Sequence, residues 1–223
     1  MKISAVIIAR KNSTRIKKKL YQKIFGKTLI ENKITQLLKA NVNEVIVGSD
    51  DEKLFEVCKK YGKKVIFFKR ENRFCDEKST TVNEMVSNML GFFKTDLVLW
   101  AHTTNPFINK NHYNEALRIF QKKYPKIDSL FSVTEINDYF WGSNKKPLNH
   151  NPQEKTHTLL STKKIKPLFV DNGGIFIREH KKMIKDGRFW GKKGEMYIMN
   201  SRDGWDINTQ WDLKACQLKS FLG

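Results

Sequence analysis

The stretch AVIIARKNSTRIKKK, residues 5–19, decides how the rest of the chain reads. Five small or branched apolar residues, Ala5 to Ala9, run without interruption into Arg10, Lys11, Arg15, Lys17, Lys18 and Lys19. Asn12, Ser13 and Thr14 lie between these cations, and there is no acid among them. An unbroken apolar run of this length suits a strand covered on both faces, as the strands of parallel sheets are. Charges are costly to bury unpaired, so the basic segment marks the point where the chain leaves the sheet.

Comparable runs rich in Val, Ile, Leu and Phe follow at 44–48, 64–68, 97–101 and 129–133. Between them apolar residues recur at helical spacing: Leu29, Ile30, Ile34, Leu37 and Leu38; Leu54, Phe55, Val57 and Cys58; Val82, Met85, Val86, Met89 and Leu90; Tyr113, Leu117 and Phe120. Strand and helix alternate, and parallel neighbours need a crossover, so the pattern predicts a mostly parallel sheet with helices on both faces. This Rossmann-like α/β/α layer takes in about residues 1–135 on the usual reading of such alternation.

The chain of 223 residues suits one such domain. Residues 138–166, with their Pro, Asn, Gly, Lys and His, break the rhythm and predict a protruding arm or lid, with subunit contact as one use. Order returns at Leu168-Phe169-Val170 and Ile175-Phe176-Ile177. Gly173 and Gly174 interrupt this strand where the backbone comes close to something. A last helix is expected from Thr209 as N-cap, with Asp212 three residues on and Trp211, Ala215, Leu218 and Leu222 along one face.

A hydrophobic fraction of 39% is enough for a core, so the chain is not disordered. Its net charge of +19 attracts anions, and leaves open a dedicated basic surface or a solvated lysine coat. Cys58, Cys75 and Cys216 have no metal-ligand spacing and read as small apolar residues in a reducing cytoplasm. The opening apolar run is short for a secretory leader, and no run approaches the about 18 residues that cross a bilayer. A cytoplasmic protein without membrane insertion is expected.

Ligands of open α/β sheets bind beyond the carboxyl ends of the strands, which puts the basic loop first among candidate sites. Arg10, Arg15 and Lys19 can converge on a polyphosphate, while Asn12, Ser13 and Thr14 offer hydroxyls, an amide and exposed backbone N–H groups. A solvated basic loop remains the competing reading, because neither G-x-x-x-x-G-K-[ST] nor G-x-G-x-x-G occurs here.

Ala9, Arg10, Ser13, Arg15 and Lys19 form A-R-x-x-S-x-R-x-x-x-K. This motif resembles the N-terminal motif of the sugar-acid cytidylyltransferases, the CMP-sialic acid synthetases and their CMP-Kdo, CMP-legionaminate and CMP-pseudaminate relatives. Further similar stretches follow in order: Val47 to Glu52, Lys78 to Asn83, His102 to Pro106, Asn172 to Phe176, and Trp205 to Leu213. The resemblance implies a nucleotide-diphospho-sugar transferase fold and transfer of CMP from CTP to an acidic acceptor, with release of pyrophosphate, in surface glycan synthesis. It implies a homodimer and no nucleic-acid partner.

Carried over by position, the resemblance gives Arg10, Asn12, Ser13, Arg15 and Lys19 to the CTP phosphates, with Ala9 near the base. Arg70 and Thr81 would read cytidine. His102 and Thr104 would line the junction with the acceptor, and Lys163 and Asn172 the acceptor pocket. Asp206 and Asn208 would hold Mg²⁺, and Arg10, Lys19, His102 and Asp206 would carry catalysis.

The chain departs from the family at three places. Asn208 stands where the family has an aspartate, which removes one charge from the metal site and raises the question of help from Asp203 or Asp212. Asp212 also reads as a helix cap. His102 replaces a glutamine and could serve as a base or as a neutral hydrogen-bonding ring. Lys163, Lys164 and Lys166 take the place of an arginine-bearing stretch, which opens the acceptor class to phosphate or phosphonate acids besides nonulosonic acids. A polyanion-binding protein without turnover and a glycosyltransferase of the same fold are the alternatives.

Overall fold

The computed structural model describes residues 1–11, 13–76, 78–153 and 165–221, with side chains as far as residue 218. Asn12 and Lys163, and most of the second half of the expected arm, lie outside the described residues. In chain order the elements are β1 (Ile3–Ala9), β2 (Lys23–Ile24), β3 (Lys27–Thr28), α1 (Leu29–Leu38), β4 (Glu44–Ser49), α2 (Lys53–Lys59), β5 (Val65–Lys69), α3 (Val82–Gly91), β6 (Leu97–Trp100) and α4 (Lys110–Lys123). They continue with β7 (Ser129–Ile136), β8 (Leu168–Glu179), α5 (His180–Asp186), β9 (Gly194–Met199) and α6 (Gln210–Phe221).

A seven-stranded sheet has the order β5-β4-β1-β6-β8-β7-β9. All neighbours pair in parallel except β8, which is antiparallel to both β6 and β7. β1 sits in the interior of the sheet, between β4 and β6, as its unbroken apolar run requires. Alternate β1 residues divide between the two sides. Ile3, Ala5 and Ile7 pack with Ile30, Ile34 and Leu37 of α1, Leu54 of α2 and Tyr113, Leu117 and Phe120 of α4. Val6 faces the other way, with Val98 and Trp100 of β6, Val86, Met89 and Leu90 of α3 and Met183 of α5. The result is the expected three-layer α/β/α architecture with a mostly parallel sheet.

Two elements differ from expectation. β8 is one strand of 12 residues. Its glycines sit opposite a register shift between Phe131 and Val133 of β7, a bulge rather than a break. Gly173 has φ +67°, and a Cβ there would lie 3.1 Å from Nδ1 of His102. In α6 the buried face is Leu213 and Cys216, whereas Trp211 and Leu218 are 74% and 66% exposed. The expected apolar stripe is therefore the outer one, and Leu222 lies outside the described residues.

A third apolar cluster positions the site. Ile16 of the basic loop, Ile24, Leu29, Ile207, Leu213 and Cys216 pack together, with Trp205 and Phe107 alongside. Ile16 is 1% exposed amid cations, so one buried side chain ties the loop to the last helix. Described arm residues form a small turn, with Trp141 bridged to Pro147 and the Gly142 amide donating to the Lys146 carbonyl at 2.8 Å.

Candidate active site

The carboxyl ends of the parallel strands open onto a cleft of about 370 Å³. β1 delivers Ala9 and Arg10 and then Ser13, Arg15 and Lys19. β5 is followed by Arg70, and β6 by His102, Thr103 and Thr104. The segment after β9 supplies Asp206 and Asn208, and all of these line the cleft. Residues from before β1's loop to after β9 thus meet in one cavity.

The acidic run after β4 shapes the basic loop. Oδ1 of Asp50 accepts a hydrogen bond from the Lys11 amide at 2.8 Å, and Oδ2 of Asp51 accepts one from the Tyr21 hydroxyl at 2.7 Å. These are charge-assisted bonds that tie down both ends of the loop, while Arg10, Arg15 and Lys19 line the cleft. Lys19 donates to the Ile207 carbonyl, which brings its ammonium beside Asp206. Burial pulls the Lys19 amine below its ordinary pKa. The Asp206 charge opposes this, while Arg15 and Arg10 add to it. The basic loop is thus a concentrated set of like charges in which Lys19 has the carboxylates of Asp206 and, more weakly, Asp212 for company, an arrangement stabilised by an anionic ligand.

Arg70 is 2% exposed. It reaches the cleft past Gly48 of β4, where an added Cβ would lie 2.9 Å from the Arg70 Cδ and 2.2 Å from the Met89 Sδ. One guanidinium nitrogen donates to the Phe74 carbonyl, while Nε is buried with no hydrogen-bond partner among the described residues. Thr81 lines the cleft and also starts α3. Its hydroxyl accepts from the Glu84 amide at 3.2 Å, and the Glu84 carboxylate accepts from the Thr81 amide at 2.8 Å. This capping box fixes the end of α3 that faces the cleft.

His102 packs edge-on against Phe176 and Phe189, with ring centroids 5.9 and 6.2 Å away. Burial lowers its pKa to about 4, against the pull of Asp206 and with Lys33 and Lys19 adding to the depression. The ring is neutral at physiological pH, which fits a hydrogen-bonding group better than a charged one.

Asp206 and Asn208 stand together, with the Asn208 Nδ2 donating to the Asp206 Oδ2 at 2.6 Å. Oδ1 of Asp206 is buried and has no hydrogen-bond partner among the described residues. No group of three or more His, Cys, Asp or Glu side chains is placed to hold a metal among the described residues. One unsatisfied carboxylate oxygen still fits Mg²⁺, which commonly takes one or two protein carboxylates and completes its shell with substrate phosphates and water. The two acids considered as helpers are engaged elsewhere. Asp203 accepts from Asn200 at 2.7 Å and lies 3.5 Å from the His112 ring. Asp212 caps α6 by accepting from the Thr209 and Asn208 amides at 2.7 and 3.0 Å.

Asn172 was expected in the acceptor pocket, and the structure gives its amide another task. Oδ1 accepts from the Ser132 hydroxyl at 2.5 Å and the Gly174 amide at 3.1 Å, and Nδ2 donates to the Thr134 hydroxyl at 3.1 Å. Asn172 is 5% exposed and stitches the β7–β8 bulge, so its side chain is spent inside the protein. Cys58 and Cys216 are buried as expected, but Cys75 is half-buried and lines the cleft. Thr80, within the Lys78 to Asn83 stretch, also lines the cleft, and sequence reasoning missed Phe74, Asp76 and Met85 on its wall. They come from a connection and one helix turn whose composition carries no signal of a ligand.

A model of the family described as cytidylyltransferase matches residues 4–201. The chain is 26% identical over 232 residues to the pseudaminic acid cytidylyltransferase of Campylobacter jejuni subsp. jejuni, covering 98% of this chain and 96% of that protein. It is 26% identical over 146 residues to the 3-deoxy-manno-octulosonate cytidylyltransferase of Francisella tularensis, covering 65% and 57% respectively. Among solved structures, CMP:2-keto-3-deoxy-manno-octonic acid synthetase complexed with CTP superposes with a TM-score of 0.69 at 15% identity, covering 100% of this chain and 99% of that one. The 4-diphosphocytidyl-2C-methyl-D-erythritol synthase of Anaerococcus prevotii gives 0.69 at 13% identity, covering 98% and 95%. With the family match running from β1 to beyond β9 and through the whole basic loop, the chain belongs to the cytidylyltransferase family.

Proposed function

We propose that this protein transfers CMP from CTP to a sugar acid, with a nonulosonic acid of the pseudaminic type as acceptor, and releases pyrophosphate. The observation that carries the reading is the meeting of Arg10, Ser13, Arg15, Lys19, Arg70 and Asp206 in one cleft at the carboxyl ends of the parallel strands. An acceptor oxygen attacks the α-phosphorus, and the bond from that phosphorus to the bridging oxygen of the β-phosphate breaks. Arg10, Arg15 and Lys19 hold the departing pyrophosphate, whose charge they are placed to neutralise. Positioning and electrostatics suffice for such a transfer, and no protein nucleophile is needed.

Arg70, with an uncommitted buried Nε, and Thr81 at the tip of α3 take the cytidine side. Neutral His102 and Thr104 orient the acceptor at the junction. Asp206, with Asn208 beside it, would hold Mg²⁺, which supplies charge neutralisation across the triphosphate when bound. We assign the reaction to a cytoplasmic homodimer whose arm, with Trp141 and Leu148 56% and 60% exposed, meets the partner subunit.

The test is pyrophosphate release from CTP, ATP, GTP and UTP, with and without Mg²⁺. Acceptors would be pseudaminic, legionaminic, sialic and Kdo acids, alongside small phosphates and phosphonates. Release from CTP with one sugar acid, and only with Mg²⁺, is expected. Binding without nucleotide preference and without turnover would return the basic surface to the polyanion reading. Cleavage of a nucleotide sugar would favour the glycosyltransferase.

A further inference from the structure

Lys33 lies on the buried face of α1, in register with Leu29, Ile30, Ile34 and Leu37. It is 1% exposed, and it forms no ion pair among the described residues. Its Nζ donates to the Asn105 carbonyl at 2.9 Å and to the Tyr113 Oη of α4 at 2.6 Å. An ammonium in such a place is costly, and an apolar side chain there would simply extend the core. Retention of an amine therefore calls for a reason beyond packing.

The carbonyl it holds belongs to the loop after β6, on which His102 and Thr104 face the cleft. The residue before it on α1 holds the next carbonyl, since Asn32 Nδ2 donates to Pro106 at 2.9 Å. On the other side of the same loop, the Asn105 Nδ2 donates to the Asn172 carbonyl at 2.7 Å and to the Trp205 carbonyl at 3.4 Å. The Thr104 carbonyl accepts from the Ile207 amide at 2.9 Å. The loop is thus the joint between α1, the β7–β8 bulge and the segment that carries Asp206.

We propose that Lys33 is a positioning residue for nucleotidyl transfer: it fixes the 102–106 loop from behind, and through that loop sets His102, Thr104 and Asp206 against one another. It touches neither substrate, so it acts only through its neighbours. The titratable groups that face it are Tyr113 from α4, His102 from the end of β6 and Asp206 from the segment before α6. Burial lowers the Lys33 amine to about 7, with the Asp206 charge opposing. Its proton is therefore exchanged near neutrality, and the pH dependence of turnover should report it.

The inference rests on the cytidylyltransferase reading, and two measurements keep the two apart. Lys33→Met keeps the length of the stem and removes the donors. Lys33→Met/Tyr113→Phe also removes the hydroxyl that would be left without its partner. With CTP, Mg²⁺ and pseudaminic acid, either variant should lose about ten- to a hundredfold in kcat with little change in KM for CTP. The melting temperature should hold or rise, and the inflection of wild-type kcat near pH 7 should vanish. Independently of turnover, hydrogen exchange at the Ile207 amide should quicken relative to amides of β1. Unchanged kcat and unchanged exchange would overturn the proposal. So would a loss of activity that only follows a fall in melting temperature, or an unfolded double variant, either of which makes Lys33 a structural group. A wild type that turns over no nucleotide would sink the functional reading alone, since the exchange measurement still decides the role of Lys33.

Discussion

Lys19 sits where burial and charge oppose one another, and its replacement should be informative for that reason. Lys19→Ala removes a cation from the phosphate side and a donor to Ile207, but leaves the packing of Ile16 intact. A drop in kcat/KM for CTP of about a hundredfold is expected with a near-native melting temperature, the size seen when one preorganised donor to a developing anion is lost. Steady-state kinetics beside thermal unfolding would show it. Asn208→Asp replaces a donor to Asp206 with a second carboxylate 2.6 Å away from the first. The variant should need less Mg²⁺ for half-maximal activity and should melt at a lower temperature in metal-free buffer, where the two charges repel.

His102 gives a prediction with a definite sign. Unfolded, its imidazole takes up a proton below pH 6.5, while the folded ring stays neutral down to about 4. The unfolded chain then binds more protons between those values, so stability falls as pH drops through that window. His102→Gln removes this contribution. Its urea midpoint should gain on that of the wild type between pH 6.5 and 4 and keep a constant offset above it.

The elements that matter for the site are joined by small apolar contacts. Ile16 lies between Arg15 and Lys17, yet it is buried against Ile207 and Leu213. Ile16→Ala should cost about 2–5 kcal/mol of stability, the usual range for truncating a buried aliphatic residue. It should also lower kcat by loosening the basic loop from α6, where an Arg10 or Arg15 variant would spare the fold. Denaturant titration with parallel kinetics separates the two effects. The start of α6 was legible because Thr209 with Asp212 is a local capping pair, and Thr28 with Glu31 and Thr81 with Glu84 turn out to open α1 and α3 in the same way, each within four residues of chain. The buried face of α6 was not legible. Trp211, Ala215 and Leu218 form as regular an apolar stripe as Leu213 and Cys216 do, and helical period alone cannot choose between them. Docking against Ile16 and Ile207 chose.

Across the whole molecule, the charge of +19 predicts long-range attraction of anionic substrates. Raising the salt from about 20 to 200 mM should lower kcat/KM for CTP severalfold while kcat at saturation changes little, because mobile ions screen encounter more than closely held pairs. A salt-independent kcat/KM would mean that the lysine coat is a solvated surface with no part in capture.

The sequence by itself determined the layered α/β fold and the first strand down to its carboxyl end at Ala9, because period, propensity and capping act between residues close in the chain. It also pointed to the strand ends and the basic loop with Arg10 and Lys19, and the family resemblance added Arg70, His102 and Asp206, which gather there. Only the tertiary structure decided how they meet: Lys19 beside a carbonyl 188 residues away, Asn172 turned inward to close a bulge, Lys33 drawn into the core behind Asn105. Those outcomes depend on which surfaces are left facing each other once the layers close. Burial and the satisfaction of buried polar groups are settled by the packed molecule, and no local pattern of residues encodes them.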